Sequence, residues 1–523
     1  MPQLLLELLS EEIPARMQAP AANDLQRLVC SGLQQSRLAF GAAQSYATPR
    51  RLTLVIDDVA AASETLMEER KGPRVSAPQK AIDGFLRGAG LASVDQATVV
   101  SDAKKGDYYV ARTQKPGQPA EAIIAAVVPD VVKAFPWPKS MRWGSGDLTW
   151  VRPLQSILAL LGGAVIDLEV AGIKSCDRTV GHRMHGGEIT VRSFEDYGTQ
   201  LREAKVLLPG SERAAMIKEQ AEALAQDAGL ELVEDEALLL ENAGLTEWPT
   251  AMIGTFDPAF LEVPEACLIT SMKMHQKCFS LRDPKTGRLA NHFILVANLV
   301  AADGGKSIVS GNERVIAARL SDAQFFWQQD LQRPLDEMAA ELDQITFHQK
   351  LGTQKDRVER ISHLAHEIAG AVDADADDAR RAAQLCKADL VSGMVGEFPE
   401  LQGLMGRHYA QAGGIKDATA RAIELHYKPR GPSDAVPLED DGDSVAIAVA
   451  LADKLDMLAG FWAIDEKPTG SGDPYQLRRA ALGVMRICIE NDLRLSLRRK
   501  ISIALTSLCE LLPDVAARSD ALC

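Results

Sequence analysis

The chain has 523 residues, of which 46% are hydrophobic and 25% are charged. This length predicts several domains, because a domain typically has about 100–200 residues, and the composition excludes a disordered or fibrous chain. The 57 Lys and Arg residues stand against 72 Asp and Glu residues, which gives a formal net charge of −15. With this net negative charge the surface as a whole cannot attract nucleic acid electrostatically. Only local basic faces can bind it.

The cysteines and the N-terminus bear on the cellular compartment. Eight cysteines occur without a CxxC pair or a metal-ligand spacing to His, so we expect reduced and mostly buried thiols. The N-terminal stretch has no basic start, and Glu7, Glu11 and Glu12 interrupt its apolar run, which argues against a signal peptide. The longest uncharged apolar run, residues 157–166, is about half of the ~20 residues that a membrane-spanning helix needs. Together these features predict a cytoplasmic protein.

In chain order, the first third alternates strand-like and helical segments, which is typical of an α+β fold. The segments LLLELL and RLTLVIDDV favour strands and flank a helix-like stretch over residues 23–35. A further helix is expected to begin near residue 152. Short apolar runs then alternate with a helix over 212–227. The sequence therefore predicts two α+β regions, over residues 1–150 and 151–320.

After about Ser310 the pattern changes to long helical periodicity with few strand candidates. Between Lys355 and Val372 the apolar residues recur at spacings of three and four, which places them on one face of a helix. Further helices are predicted over residues 378–394, 416–426, 444–464 and 475–508. The sequence thus predicts an all-α domain over residues 321–505.

The all-α part carries an incomplete pattern for a metal site. Phosphohydrolases of the HD type hold a metal through a His, a His-Asp pair and a later Asp, and the metal activates a water. Here Asp389 and Asp453 match the acidic positions, but Ala388 stands where the pair requires His. On their helix His363 and His366 point away from the apolar face. We therefore expect degenerate HD positions without a metal, and a basic or hydrogen-bonding partner for Asp453.

Positive charge is concentrated in a few short clusters. For a single cluster the ordinary interpretation is a solvated surface or an internal ion pair. The helix predicted after Ser310 is a stronger candidate for anion binding, because Asn312 and Arg314 lie at its start, where free amide groups favour anions. The aromatic run over residues 325–327 of the same segment is predicted to belong to the core rather than to a base-stacking platform.

Several long and unusual segments are distributed along the chain and match one known family. They are LLLELLSEEIP at residue 4, ATPRRLTL at 47, VRPLQSILALLGG at 151, VGHRMHGG at 180, GLTEWPTAMIGTFDPAFLEVPEACLITSMKMHQKCF at 244, SGNERVIAARLSDAQFFWQQDL at 310, KADLVSGMVGEFPELQGLMGRHYA at 387 and VALADKLDMLAGFWAI at 449. With these segments the chain resembles the beta subunit of the bacterial heterotetrameric glycyl-tRNA synthetase from residue 1 to about residue 500.

The resemblance implies a subunit that supports the ATP-dependent attachment of glycine to its tRNA, within an assembly of two alpha and two beta chains. In that family the alpha subunit holds the adenylation site, so ATP and Mg are used by the complex and no cofactor is bound by this chain. It also implies a region similar to the B3/B4 module over 151–320 and an HD-like helical domain over 321–505. The family's chain usually continues beyond Cys523, so 506–523 is expected to be a truncated tail that lacks the anticodon-binding domain.

The function predicted from this resemblance is non-catalytic tRNA binding, in which the chain positions the acceptor arm for the alpha subunit through phosphate contacts. The residues predicted to bind tRNA are Lys273, His275, Lys277, Asn312, Arg314, Arg319, Arg478 and Arg479. The expected partners are the alpha subunit and glycine tRNA, with no membrane. Two alternatives stay open at this point: an HD-type metal-dependent phosphohydrolase, and a scaffold for the alpha subunit that makes no contact with RNA.

Overall fold

The computed structural model describes residues 1–101, 106–509 and 512. The chain forms two compact units, Met1–Ile253 with Ile294–Val309 and Gly254–Phe293 with the chain from Ser310 onward. Most of the predicted tail over 506–523 lies outside the described residues. The two units divide the chain differently from the regions predicted above, and those regional boundaries stay a prediction.

The first half of the chain contains strands and helices in alternation. In chain order its elements are β1 Leu4–Ser10, α1 Ala15–Gln35, β2 Ala43–Ala47, β3 Arg51–Ile56, β4 Leu66–Arg74, α2 Gln79–Ala89, β5 Thr98–Val100, β6 Tyr108–Lys115, α3 Ala120–Lys133, β7 Leu154–Leu161, β8 Ala164–Val165, β9 Glu169–Val170, β10 Ile173–Cys176, β11 Arg178–Val180, β12 Glu188–Thr190, α4 Phe194–Glu203, α5 Gly210–Asp227, β13 Glu231–Leu232, α6 Glu236–Leu245 and β14 Thr250–Thr255.

The second half is mainly helical. Its elements are α7 Glu265–Gln276, β15 Phe279–Arg282, β16 Leu289–Ala297, α8 Lys306–Asp330, α9 Leu335–Ala340, β17 Thr346–His348, β18 Gly352–Thr353, α10 Gln354–Ala369, α11 Ala376–Leu385, α12 Gly393–Glu397, α13 Leu404–Ala412, α14 Asp417–Leu425, α15 Ser444–Ala463, α16 Leu477–Glu490 and α17 Leu497–Leu508. Mixed sheets in the first half followed by helices in the second confirm the coarse fold class predicted from the sequence, whereas its HD-like assignment stays a prediction.

The first unit is built on a seven-stranded sheet. Its strand order is β2-β3-β1-β7-β10-β9, with β8 attached to β7. Strand β1 pairs antiparallel with β3 and with β7, and β10 runs parallel to β7. Every residue of β1 and of β3 is buried. These two strands are therefore covered on both faces.

Side chains of the central strands alternate between two cores, one on each face of the sheet. Leu4 and Leu6 face a core that includes α1 and α3. Leu5 faces a smaller core that contains Tyr197 of α4. By the same alternation Glu7 lies on the face of Leu5, where it is fully buried. The period of the strand thus carries a carboxylate into an apolar interior, and that carboxylate requires partners.

The helical part of the second unit surrounds α15. Fifteen of the twenty residues of this helix are buried, and its many small side chains let α10, α14, α16 and α17 pack closely against it. Helix α10 begins with a capping box, in which Thr353 and Asp356 each accept a hydrogen bond from the other's backbone N–H. Strands β17 and β18 form a short hairpin just before α10. None of the helices in the described part of the chain is long and apolar enough to cross a membrane.

The predicted elements are confirmed in most places and wrong in three. The helix predicted over 378–394 ends at Leu385, and a 3₁₀ turn over Ala388–Val391 and the separate short helix α12 follow it. The helix expected near residue 152 is instead strand β7, because a strand buried on both faces is uniformly apolar and resembles a buried helix. The single helix predicted over 475–508 is two helices, α16 and α17, separated at Asn491 and Asp492, where Asp492 has a φ of 51°. The helices predicted over 416–426 and 444–464 are confirmed within one residue at each end.

Candidate functional sites

Three of the residues predicted to bind tRNA lie at the C-terminal end of α7. Lys273 and His275 are in its last turn, and Lys277 caps the helix in the left-handed conformation with a φ of 53°. All three side chains are half-buried. The ring of His275 packs edge-on against Phe398, and its buried Nε2 has no hydrogen-bond partner among the described residues. Part of this group is therefore engaged in packing within the second unit.

The second group lies on α8, but not where the sequence placed it. Helix α8 begins at Lys306, so Asn312 and Arg314 lie beyond its first turn. The expectation that free amide groups surround them is therefore wrong, because the amides of later turns bond to the carbonyls of the preceding turn. Arg314 and Arg319 are exposed, and Arg314 donates through Nε to the Ser310 carbonyl at 3.3 Å.

The aromatic run of α8 also departs from the prediction. Phe325 is 59% exposed, so the expectation of a core position is wrong for this residue. Phe326 and Trp327 are half-buried, and Trp327 stacks on Tyr409 with ring centroids 5.5 Å apart. The helical period turns neighbouring side chains by about 100°, so Phe325 points to solvent while its ring still meets Phe326 edge-on, with centroids 5.8 Å apart.

The third group, Arg478 and Arg479, lies in the first turn of α16. Both side chains are exposed. Arg478 is held in place, because its guanidinium donates to the Gly470 carbonyl at 2.8 Å and its backbone N–H donates to the Asp473 carboxylate at 3.0 Å. Arg479 makes a long contact of 3.4 Å with the side-chain oxygen of Gln476. The three predicted groups thus lie on three separate helices.

The degenerate HD position Asp453 has the basic partners that its burial predicted. Its Oδ1 lies 2.9 Å from Arg357 and 3.1 Å from the ammonium of Lys387, and all three side chains are buried. Burial alone would raise the pKa of Asp453, but the charges of Arg357 and Lys387 lower it well below its ordinary value. The carboxylate is therefore ionised at neutral pH and neutralised by side-chain cations.

Lys387 lies where several polar groups meet. Its ammonium donates to Nε2 of His426 at 2.8 Å and lies 3.8 Å from the ring centre of Tyr427. His426 donates through Nδ1 to the Ile423 carbonyl, which leaves Nε2 as the acceptor for Lys387. Burial, together with the charge of Lys387, lowers the pKa of His426 well below its ordinary value, so the imidazole stays neutral.

These contacts do not fit a metal at the HD position. A catalytic metal generally needs three protein ligands, and the described residues contain no group of three His, Cys, Asp or Glu side chains placed to hold one. The lone pair of His426 and the carboxylate of Asp453 both face the ammonium of Lys387, and Ala388 contributes no ligand. The ammonium of Lys387 therefore occupies the position at which an HD-type site would hold its metal.

The other degenerate HD position, Asp389, is bound differently. Its Oδ2 accepts hydrogen bonds from the backbone N–H groups of Gly403 at 2.6 Å and Gly406 at 3.1 Å. Its Oδ1 is buried and has no partner among the described residues. Burial raises the pKa of Asp389 to about 6, against the hydrogen bonds, which lower it.

This shift predicts a pH dependence. Because the folded pKa is above the ordinary value of 3.8, the folded chain holds this proton more tightly than the unfolded chain, and the associated stability is lost as pH rises from about 4 through 6. Relative to Asp389→Asn, the wild type should lose on the order of 3 kcal/mol between pH 4 and pH 7. Urea denaturation of both proteins across this range measures the difference.

A control for that experiment is Asp336→Asn. Asp336 pairs with Arg381 at the surface, and the hydrogen bond from Arg381 lowers its pKa. Its contribution to stability should therefore rise with pH, opposite in sign to that of Asp389. A wild-type advantage over Asp389→Asn that does not change with pH would contradict the assignment of a raised pKa to Asp389.

The first unit contains a second buried charge network, which sequence reasoning did not find. Arg51 of β3 lies between two carboxylates, with its Nε 3.6 Å from Glu7 and its NH2 3.5 Å from Glu247. Tyr197 and Thr179 donate hydrogen bonds to the Glu7 carboxylate. Burial and the neighbouring Glu7 raise the pKa of Tyr197 well above its ordinary value, which keeps its hydroxyl protonated for this bond.

Arg213 of α5 supplies the second positive charge of this network. It is buried and donates to the carbonyls of Ala47, Leu207, Leu208 and Ala243 at 2.6–2.9 Å. Burial lowers its pKa to about 10, so the guanidinium remains charged at neutral pH. With Arg51 it balances Glu7 and Glu247, and the buried interior of this region carries no net charge.

The network underlies a pocket of about 240 Å³ that is formed wholly within the first unit. Its walls come from the segments SEEIP, TPRR, GHRMH, GLTEW and the residue Asn298. These four segments lie within the long stretches that carry the family resemblance, but nothing in the sequence indicated that they meet at one pocket. Their convergence depends on tertiary structure, because the segments are separated by up to about 290 residues in the chain.

Comparison with known proteins identifies the chain. The family model described as glycyl-tRNA synthetase beta subunit matches residues 4–519. The glycine–tRNA ligase beta subunit of Ruegeria sp. (strain TM1040) is 54% identical over 508 residues, covering 95% of this chain and 73% of the relative. That of Paracoccus denitrificans is 53% identical over 505 residues, with the same two shares, and that of Dinoroseobacter shibae is 54% identical, covering 95% of this chain and 69% of the relative.

These matches define a subunit of an aminoacyl-tRNA synthetase. The chain belongs to the glycyl-tRNA synthetase beta subunit family. As a beta subunit of a glycine–tRNA ligase it functions as part of a complex, with an alpha subunit and tRNA as its partners.

Proposed function

We propose that the chain holds the acceptor arm of glycine tRNA through arginines of its second unit and orients it toward the adenylate in the alpha subunit. The observation that supports this proposal is that Arg314, Arg319, Arg478 and Arg479 are exposed and have no carboxylate within 4 Å among the described residues. Arg381, by contrast, is neutralised by a bidentate pair with an aspartate. A cation without a carboxylate partner is available to a phosphate, and phosphate contacts fix orientation.

The proposed contact surface also includes Lys273, His275, Lys277 and Asn312. Lys273 and Lys277 add positive charge at the end of α7. Local basic groups are required for this role, because a chain with a net charge of −15 repels RNA at long range. No bond-making step is assigned to any of these residues, and positioning alone can contribute substantially to the rate of a bimolecular transfer.

The proposal extends to the assembly. Two alpha and two beta chains form the complex, the alpha subunit uses ATP and Mg, and this chain binds no cofactor of its own. The predicted region over 151–320 corresponds to a B3/B4-like module and that over 321–505 to an HD-like domain. The proposed compartment is the cytoplasm, which agrees with free thiols at the seven cysteines among the described residues.

The test is the salt dependence of tRNA binding by the assembled complex. The double variant Arg314→Gln/Arg319→Gln should weaken binding of glycine tRNA and reduce the slope of log affinity against log salt by about 1.4–1.8, since each phosphate contact contributes about 0.7–0.9. Arg478→Gln/Arg479→Gln should act in the same way. Fluorescence anisotropy with labelled tRNA between 50 and 300 mM salt measures both quantities.

The matched control is Arg381→Gln, which removes an exposed but paired arginine from the same unit and should leave the slope unchanged. If both double variants keep the wild-type affinity and slope while the complex stays intact, the chain serves as a scaffold for the alpha subunit without RNA contact. The HD-type hydrolase alternative has less support, because Lys387 and Arg357 already neutralise Asp453.

A further inference from the structure

We propose that helix α16 of this chain pairs antiparallel with α16 of a second copy of the same chain. The pairing is a state of the RNA-free chain, because Arg478 and Arg479, which belong to the proposed RNA contacts, lie on and beside the pairing face. It goes beyond the proposed function and does not depend on it. Two features of α16 support the pairing, a second apolar face and the positions of its charges.

The first apolar face of α16 is covered within the protein. The helix packs with this face against α15. The buried residues of the face that follow Leu477 are Ala480, Gly483, Val484 and Ile487. Their spacing of three and four is the pattern of a helix that covers a core with one side. The opposite side of such a helix is ordinarily polar.

The opposite side of α16 is instead apolar and exposed. Ile489 is 74% exposed, Met485 is 49% exposed, and Leu482 is half-buried. Because they are three and four positions apart, these side chains form one stripe that points away from α15. The exposure of Met485 and Ile489 shows that no described element covers the outer part of this stripe. Single exposed apolar residues are common, whereas a stripe with this spacing is typical of a helix that contacts another helix.

The charges beside the stripe favour a second copy as the occupant. Arg479 and Glu490 are exposed and lie eleven residues apart in α16, which is close to three whole turns, so they flank the stripe on the same side. When two copies pair antiparallel, Arg479 of each lies opposite Glu490 of the other. A parallel pair would instead place like charges opposite each other, which is unfavourable. The antiparallel pair therefore gains two symmetric interactions between opposite charges.

These charges are free to make the contact. Among the described residues Arg479 has no carboxylate within 4 Å, and its guanidinium makes only a long contact of 3.4 Å with Gln476. Glu490 accepts from Arg486 of the same helix at 2.8 Å through one oxygen, Oε1. A carboxylate has two oxygens and can accept from a second guanidinium. Each copy therefore presents a donor and an acceptor to the other.

The apolar stripe is complementary to itself in the same arrangement. Leu482 of one copy faces Met485 of the other, and Ile489 faces the aliphatic stem of Arg478. Both copies use the same surface, so the dimer has two-fold symmetry and is closed. One helix on each side forms a small interface, and we therefore expect a weak and reversible dimer. The repulsion between two chains of net charge −15 is largely screened at ~0.15 M salt.

The test is sedimentation equilibrium of the full chain alone at ~0.15 M salt, without alpha subunit or RNA. Wild type should be monomeric at ~1 µM and mainly dimeric at ~200 µM, as a small interface predicts. Ile489→Glu places a charge in the stripe and should weaken dimerisation at least tenfold. The matched control is Leu240→Glu, which should dimerise like wild type, because Leu240 is 56% exposed on α6, away from this face. Unchanged thermal melting verifies that each variant is folded.

A charge exchange tests the antiparallel direction. Arg479→Glu and Glu490→Arg each place like charges opposite each other, so each variant alone should dimerise at least tenfold more weakly than wild type. An equimolar mixture of the two variants should associate almost as well as wild type, because each chain then presents the charges that the other attracts. A wild type that stays monomeric at ~200 µM, or a mixture that associates no better than either variant alone, would overturn the proposal. Since no RNA is present, these results are independent of the proposed RNA contacts.

Discussion

Asp453→Asn is expected to destabilise the second unit by about 3–5 kcal/mol. The substitution leaves Arg357 and Lys387 buried without the carboxylate that neutralises them, and loss of one partner from a buried ion pair has a cost of this size. Asp456, which pairs with Arg360 at 2.7 Å, can compensate only in part. Urea denaturation at neutral pH measures the change in the free energy of unfolding.

The control for this experiment is Asp336→Asn, which breaks an exposed pair and should cost no more than about 1 kcal/mol. The double variant Asp453→Asn/Lys387→Met removes one cation together with the carboxylate and should recover part of the loss. A loss below about 1 kcal/mol for Asp453→Asn, equal to that of the surface control, would show that the buried network does not depend on this carboxylate.

Arg213→Met is expected to destabilise the first unit by at least about 3 kcal/mol. It removes four hydrogen bonds from a charged donor and leaves four carbonyls, on three separate stretches of chain, without that donor. It also leaves Glu7 and Glu247 with Arg51 as the remaining buried cation. Arg213→Lys should lie between the wild type and Arg213→Met, because an ammonium keeps the positive charge but has only three N–H donors on one nitrogen and cannot bond all four carbonyls.

The matched control is Arg202→Gln. Arg202 is exposed at the end of α4 and pairs with Glu212, so its loss should change the free energy of unfolding by less than about 1 kcal/mol. Thermal or urea denaturation ranks the four proteins. If Arg213→Met is as stable as Arg202→Gln, the carbonyls around Arg213 have other donors, and the stabilising role assigned to its four hydrogen bonds is wrong.

The sequence predicted those features that depend on local pattern. The apolar run LLLELL and the β-branched residues of RLTLVI predicted β1 and β3, and three- and four-residue spacing predicted α10. The partner of Asp453 followed from burial alone, since a buried carboxylate requires one. The identity of its partners could not be predicted in this way, because Lys387 and Arg357 precede Asp453 by more than 60 residues in the chain.

Features that depend on tertiary structure were missed for the same reason. Strand β7 was assigned as a helix because its apolar run has no alternation when both faces are covered. The pocket formed around Arg50 and Glu247 requires the two residues to meet across nearly 200 positions of sequence. The sequence predicts a core position for Phe325, but this residue lies on the exposed side of α8. Which side of α8 is covered depends on the elements that pack against it, and the sequence does not show them.

The position of β1 in the sheet also constrains how the chain is made. Its second neighbour is β7, in which Leu161 pairs with Leu4. Strand β7 is synthesised about 150 residues after β1 and leaves the ribosome correspondingly later. At roughly 5–20 residues per second, the apolar edge of β1 waits on the order of 10–30 s for that neighbour. An unpaired strand edge of this kind is prone to aggregation, so the nascent chain should depend on chaperones until β7 has emerged.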